Sequence, residues 1–238
     1  MEVFSLPTFL PCHTAAVFGL HTGLSAPTGH LQARFLVHII FIIVYSLLST
    51  GEIDVLEGVH NQPTNQYTLH TSEGCEIGAD FNEKSALSNI INDQCASSGT
   101  DNRGCAFLDT DTQTYGRGFN VIAGGVFAHL WDNTGIRVWR FPRPSIPADI
   151  TAKTPDPSTW GTPAAFFPSN NCDIASHFFE HNLVLDTTIC GDFAGPTYAN
   201  SGCPGTCDQA VANNTNFKCE YMPRHFLPKG LLIHFHSR

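Results

Sequence analysis

Gly51-Glu52-Ile53-Asp54-Val55-Leu56-Glu57-Gly58 sets three carboxylates at offsets 0, 2 and 5 among β-branched and aliphatic residues. Side chains alternate along a strand, so Glu52 and Asp54 share a face and Glu57 falls on the other. One extra residue inserted between them as a β-bulge reverses that parity and brings all three to one cleft. Two carboxyls about 5 to 5.5 Å apart are what a retaining glycosidase uses, one attacking the anomeric carbon and the other protonating the leaving oxygen. Crowding like charges raises the pKa of one of them, which keeps an acid protonated near neutral pH. Asp54, between the two, is positioned to hydrogen-bond the nucleophile. As a merely solvated acidic face, the triplet would arise by chance in roughly one chain in twenty of this length. Its setting argues against that, because exposed acids seldom alternate with residues such as Ile53, Val55 and Leu56 unless their own face is also enclosed.

Outward from this motif the texture stays that of half-buried antiparallel strands. Asn65 to Thr71 (NQYTLHT) puts Tyr67, Leu69 and Thr71 on one face and Thr68 and His70 on the other. Val126 to Trp131 and Ile136 to Phe141 flank Asp132-Asn133-Thr134-Gly135, a turn sequence that predicts a hairpin. Asn182 to Cys190 alternates again, whereas Phe141 to Asn170 carries seven prolines and is expected to be a long ordered loop over the sheet.

The bulk composition agrees with an all-β domain. Charged residues make up only 14% of the 238, while Gly (20), Pro (15) and Phe (18) are plentiful, which suits many short strands joined by turns. A net charge of −9 with no Lys/Arg run leaves nothing to neutralise a phosphate backbone, so no nucleic acid is expected as a partner. Seven of the nine cysteines fall between Cys75 and Cys207, a load that favours disulfides and an oxidising location. Cys203 and Cys207 have a C-x3-C spacing, but no second Cys/His pair follows to complete a zinc site, and no metal is expected. Pairing is sought first among Cys75, Cys95 and Cys105, and separately among Cys172, Cys190, Cys203 and Cys207. Asn213-Asn214-Thr215 is a glycosylation sequon at Asn213. The apolar run Phe35 to Leu48 is 14 residues long, too short for a membrane span of about 20, and it makes no convincing signal peptide.

GEIDVLEGV resembles the catalytic strand of glycoside hydrolase family 16 in its bulged form. The likeness continues in order through Thr64 to Thr71, Gly118-Phe119-Asn120, Gly124 to Ala128, Gly135 to Trp139, Phe141-Pro142-Arg143, Ser145-Ile146-Pro147, Pro155 to Gly161 and Cys190-Gly191-Asp192, about 165 residues in all. These segments recur in fungal laminarinase-like endo-1,3(4)-beta-glucanases. The resemblance implies a concanavalin-like β-jelly-roll sandwich of two curved antiparallel sheets with an open cleft for a β-1,3 or mixed β-1,3/1,4-glucan. It implies Glu52 as nucleophile, Glu57 as general acid/base and Asp54 as the assisting carboxylate. His70, in the matching Leu-His-Thr, would lie near the acid/base and donate to Glu57 or to a sugar. Trp131 and Trp139 offer flat faces to pyranose rings, with sandwich core as the alternative, and Asn120 and Arg137 are further cleft candidates. Two-carboxylate hydrolysis needs no cofactor. A secreted monomer is the expectation, with a β-glucan as its partner.

The likeness covers residues 51–218, the expected partial catalytic domain. Residues 1–50 contain no Trp and do not match the strands that precede the catalytic strand in the family, and 219–238 is unpatterned. Both flanks are expected to be translated intron or misjoined exon, which would leave the sandwich incomplete at its N-terminal side. The alternatives to a retaining glucanase are therefore a non-catalytic carbohydrate-binding jelly-roll and an inactive product of a truncated gene model.

Overall fold

The computed structural model describes residues 2–4, 16–23 and 50–212. Among the described residues ten strands run in chain order as β1 (Glu2–Phe4), β2 (Ala16–Gly23), β3 (Glu52–Val59), β4 (Gln66–His70), β5 (Asn89–Asn92), β6 (Cys105–Leu108), β7 (Gly125–Asp132), β8 (Gly135–Pro142), β9 (Ala165–Pro168) and β10 (Asn182–Ile189). They form a four-stranded sheet in the order β1-β7-β8-β9 and a six-stranded sheet in the order β10-β2-β3-β4-β6-β5. Every ladder between them is antiparallel. Ala16–Gly23, in the flank expected to be foreign, forms β2 between β10 and β3. The run Phe35 to Leu48 lies outside the described residues.

The sheets stack as a sandwich because each presents one apolar face. Ile53, Leu56, Tyr67, Leu69 and Phe107 of the larger sheet join Phe127, Ile136, Val138 and Phe167 of the smaller in one buried cluster. Phe107 meets Phe167 edge-on with ring centroids 5.0 Å apart, and Tyr67 meets Phe127 at 6.4 Å. A polar bridge also crosses this core. Arg140 of β8 donates through Nε to Asp109 Oδ2 at 2.7 Å and through a terminal nitrogen to Oδ1 at 3.2 Å, while the Tyr67 hydroxyl donates to Oδ2 at 2.8 Å. Burial, reinforced by the Asp109 charge, holds the Tyr67 phenol well above its usual pKa.

The hairpin expected at Asp132-Asn133-Thr134-Gly135 joins β7 to β8, with Asp132 opposite Gly135. The proline-rich stretch is loop and short helical turns for most of its length, but Ala165–Pro168 pairs with β8 as β9 at the edge of the sheet. Prolines are tolerated there because an edge strand leaves one side of its backbone unpaired. Disulfides join Cys75 to Cys172, Cys95 to Cys105 and Cys190 to Cys207, and Cys203 keeps a buried thiol. The first bond corrects the expected grouping of the cysteines, since it ties residues 97 apart that an isolated antiparallel bridge holds side by side.

Candidate active site

The acidic motif occupies β3, and its bulge is visible in both ladders. Against β4, the register passes from Asp54↔Thr68 to Glu57↔Gln66, three steps on one strand for two on the other. Against β2, it passes from His21↔Asp54 to Leu20↔Leu56. Val55 is thus the inserted residue, and beyond it Glu57 returns to the face of Glu52 and Asp54. Strand neighbours paired directly across share a face, so His70, Thr68 and Gln66 of β4 line the same side opposite Glu52, Asp54 and Glu57. The motif's glycines close its ends. Gly51 turns into the strand at φ +73°, where an added Cβ would strike the His177 carbonyl and the Phe178 ring. At Gly58 an added Cβ would lie 2.7 Å from the Tyr115 ring.

Glu57 is half-buried, and two donors converge on its Oε2: the Thr68 hydroxyl at 2.9 Å and the Gln66 amide at 3.2 Å. The same Gln66 nitrogen lies 3.0 Å from Thr68 Oγ1, so the three side chains form one small network. Asp54 is only 4% exposed, and its Oδ2 lies 3.4 Å from His70 Nε2. The other His70 nitrogen, Nδ1, pairs with Ser97 Oγ at 2.7 Å, which orients the ring towards Asp54. β4 places His70 opposite Glu52 and beside Asp54, two residue pairs from Glu57.

At the Glu52 end, His181 approaches from the segment before β10. Its Nε2 lies 2.6 Å from the Thr50 carbonyl. Burial lowers its pKa, against the opposing pull of that carbonyl and of the Glu52 carboxylate. Trp131 packs against this ring at 4.9 Å and against Phe178 at 6.4 Å. It is partly buried and packed against the core cluster, as the core alternative for Trp131 expects.

Trp139 and Arg137 lie on the smaller sheet. Trp139 is on the face of β8 opposite to Ile136 and Val138, 4% exposed beneath Trp160 at 5.3 Å, with its indole nitrogen donating to the Gly161 carbonyl at 3.0 Å. A ring covered by the proline-rich loop on the outer side of the smaller sheet offers no face to a sugar beside Glu52. Arg137 shares that outer face, donating to Thr134 Oγ1 at 2.9 Å and stacking over Phe166 at 4.1 Å, where it braces the hairpin. Asn120 is the penultimate residue of the short helix Gly116–Val121, with both amide atoms buried and unpartnered among the described residues. Asn213 lies outside the described residues.

Sequence reasoning missed Asn65, Gln66, Thr68, Ser97 and His181. Gln66 and Thr68 were within reach of it, since alternation through His70 puts all three on one face. A groove of about 830 Å3 lies apart from the acids, along the Cys75–Cys172 bridge between Glu76, Gln94, Asn133 and Asp173. Among the described residues no group of three or more His, Cys, Asp or Glu side chains is placed to hold a metal ion, and no helix is long and apolar enough to cross a membrane.

Comparison with known proteins bears on the same strand. Residues 45–223 match the family described as the XgeA-like, catalytic GH16 domain. A probable glycosidase of Schizosaccharomyces pombe is 41% identical over 165 residues, covering 69% of this chain and 39% of the relative. An endo-1,3(4)-beta-glucanase of Arthroderma benhamiae is 38% identical over 172 residues, 69% of this chain and 37% of the relative. The chain therefore spans less than two fifths of the length of these two relatives. Among solved structures, Laminarinase 16A from Phanerochaete chrysosporium, with β-glucans in both donor and acceptor sites, superposes with a TM-score of 0.73 at 31% identity over 90% of this chain and 65% of that one. An elongating GH family 16 beta-1,3-glucosyltransferase superposes at 0.68 with 30% identity, over 91% and 66% of the two chains. Agreement between an extended sequence match and a sandwich whose acidic strand carries a one-residue bulge makes the assignment: the chain belongs to glycoside hydrolase family 16, as an XgeA-like catalytic domain.

Proposed function

We propose that this domain is a retaining endo-β-glucanase that cleaves β-1,3 or mixed β-1,3/1,4-glucan. The observation that carries the reading is the Val55 bulge, which turns Glu52, Asp54 and Glu57 to one face of the six-stranded sheet. In the first step the Glu52 carboxylate attacks the anomeric carbon and the glycosidic C–O bond breaks, with the Glu57 carboxylic acid giving its proton to the departing oxygen. In the second, the Glu57 carboxylate takes a proton from water as the water oxygen attacks the same carbon, releasing the sugar and restoring the Glu52 carboxylate. Asp54, with His70 against it, shares the face of the two and stands in place to hydrogen-bond the nucleophile. The glucan-bound Laminarinase 16A and the relatives named endo-1,3(4)-beta-glucanase support the substrate class, and the three disulfides support an extracellular location.

A second reading, transfer to a sugar acceptor in place of water, draws on the similarity to the elongating glucosyltransferase. Both share the covalent intermediate and differ only in the acceptor. Reducing-sugar release from laminarin and lichenan tests the first reading. The wild-type chain is expected to be active and Glu52→Gln to lose at least about 10³-fold, as removal of a nucleophile does. No release by the wild type from either polymer overturns the hydrolase. Chromatography of laminarioligosaccharide digests tests the second, which requires products longer than the substrate.

A further inference from the structure

We propose that Asn65 is the positioning residue of the acid/base, its buried carboxamide clamping the bulge that turns Glu57 towards Glu52. The inference rests on the glycosidase reading for its kinetic consequence, though not for its geometry. A bulge leaves backbone groups out of the regular ladder, and an unpaired buried group is costly. At Val55 the two groups are satisfied by a single side chain. Asn65 Nδ2 donates to the Val55 carbonyl at 3.0 Å, and Asn65 Oδ1 accepts the Glu57 N–H at 3.0 Å. A carboxamide offers a donor and an acceptor side by side at this reach.

Asn65 is itself rigidly held, with no exposed surface. Its backbone N–H donates to Thr114 Oγ1 at 2.9 Å, and its carbonyl accepts the Asp109 N–H at 2.9 Å. Asp109 is in turn fixed by Arg140 and Tyr67, so the clamp is anchored to the buried bridge between the sheets. Without it the bulge can relax or migrate along β3, and a one-residue slip moves Glu57 to the opposite face. Glu52, on the N-terminal side of Val55, keeps its pairing opposite His70. Loss of Asn65 should therefore impair the group that protonates the leaving oxygen more than the nucleophile.

Two measurements on the full chain test this. Asn65→Leu keeps the volume and removes both hydrogen bonds, while Asn65→Asp keeps the acceptor for Glu57 N–H but sets an oxygen against the Val55 carbonyl. In a crystal structure of either, the Glu57 carboxylate is expected to have left the Thr68 and Gln66 donors. An unchanged bulge with Glu57 in place overturns the proposal whether or not the protein hydrolyses glucan. In kinetics, kcat on laminarin is expected to fall about 10²-fold, the scale of a misplaced catalytic group. KM should change less than about threefold, and the loss on β-laminaribiosyl fluoride, whose leaving group needs little protonation, should be less than about tenfold. Equal losses on both substrates, or none on laminarin, overturn the proposal. An inactive wild type whose variants nonetheless displace Glu57 would sink the glycosidase reading and leave the clamp standing.

Discussion

Two hydrogen bonds converge on Glu57 Oε2, from the Thr68 hydroxyl and the Gln66 amide, and they help to fix the orientation of the carboxyl. Thr68→Val removes the shorter bond at constant shape, and kcat/KM on laminarin is expected to fall about tenfold with KM nearly unchanged, as steady-state kinetics would reveal. His181 makes a different prediction. Burial lowers its pKa from the ordinary 6.5, so the unfolded chain binds a proton more readily than the folded one. Its contribution to stability is complete above about pH 6.5 and is lost as pH falls through that value towards the depressed folded pKa. Melting temperatures measured between pH 7 and 5 should drop for the wild type and drop less for His181→Gln. His129, lowered by burial to about 4, and His60, also lowered by burial, leave a residual slope in the variant.

At the scale of the element, β3 is held in an unusual shape by what flanks it. The Tyr115 ring occupies the space where a Gly58 side chain would stand, and the Tyr115 hydroxyl donates to the Gly58 carbonyl at 2.9 Å. Gly58→Ala forces that ring aside one residue from Glu57. A loss of about 1 to 3 kcal/mol is expected from overpacking, measurable by urea unfolding, with activity falling in the surviving folded protein. The bulge was legible from the 0, 2, 5 spacing because strand parity is a local property. β5, β6 and β9 were not, since four residues carry too little periodicity to separate a short strand from loop. The β7–β8 hairpin was, because its turn residues sit between two longer alternating runs.

Across the whole molecule the two sheets are joined by packing and by the buried Asp109–Arg140–Tyr67 bridge. The Asp109 side chain has no exposed surface and that of Arg140 only 16%. Asp109→Ala would leave a guanidinium and a phenol short of their acceptor inside the sandwich. Denaturant titration is expected to show a loss of about 3 to 5 kcal/mol, as for other buried pairs broken on one side. Because the Asp109 backbone also holds Asn65, a smaller fall in kcat should accompany it. The Cys75–Cys172 bond works at the same scale, tying the chain after β4 to the chain after β9.

What the sequence by itself determined is the acidic strand with its bulge and the all-β pattern. The spacing of Glu52, Asp54 and Glu57, the alternation through Tyr67 and Leu69 and the turn at Asp132 are all written in near neighbours. What only the tertiary structure decided is which long-range partner each side chain meets. Trp131 and Trp139 look alike in sequence, yet one packs against His181 near the acids and the other is covered by Trp160 on the outer side of the smaller sheet. His70 turned to Asp54, Cys75 crossed to Cys172, and Asn65 filled the bulge. Each of these depends on how two sheets stack and which loop covers them, and contacts of that kind carry no period along the chain.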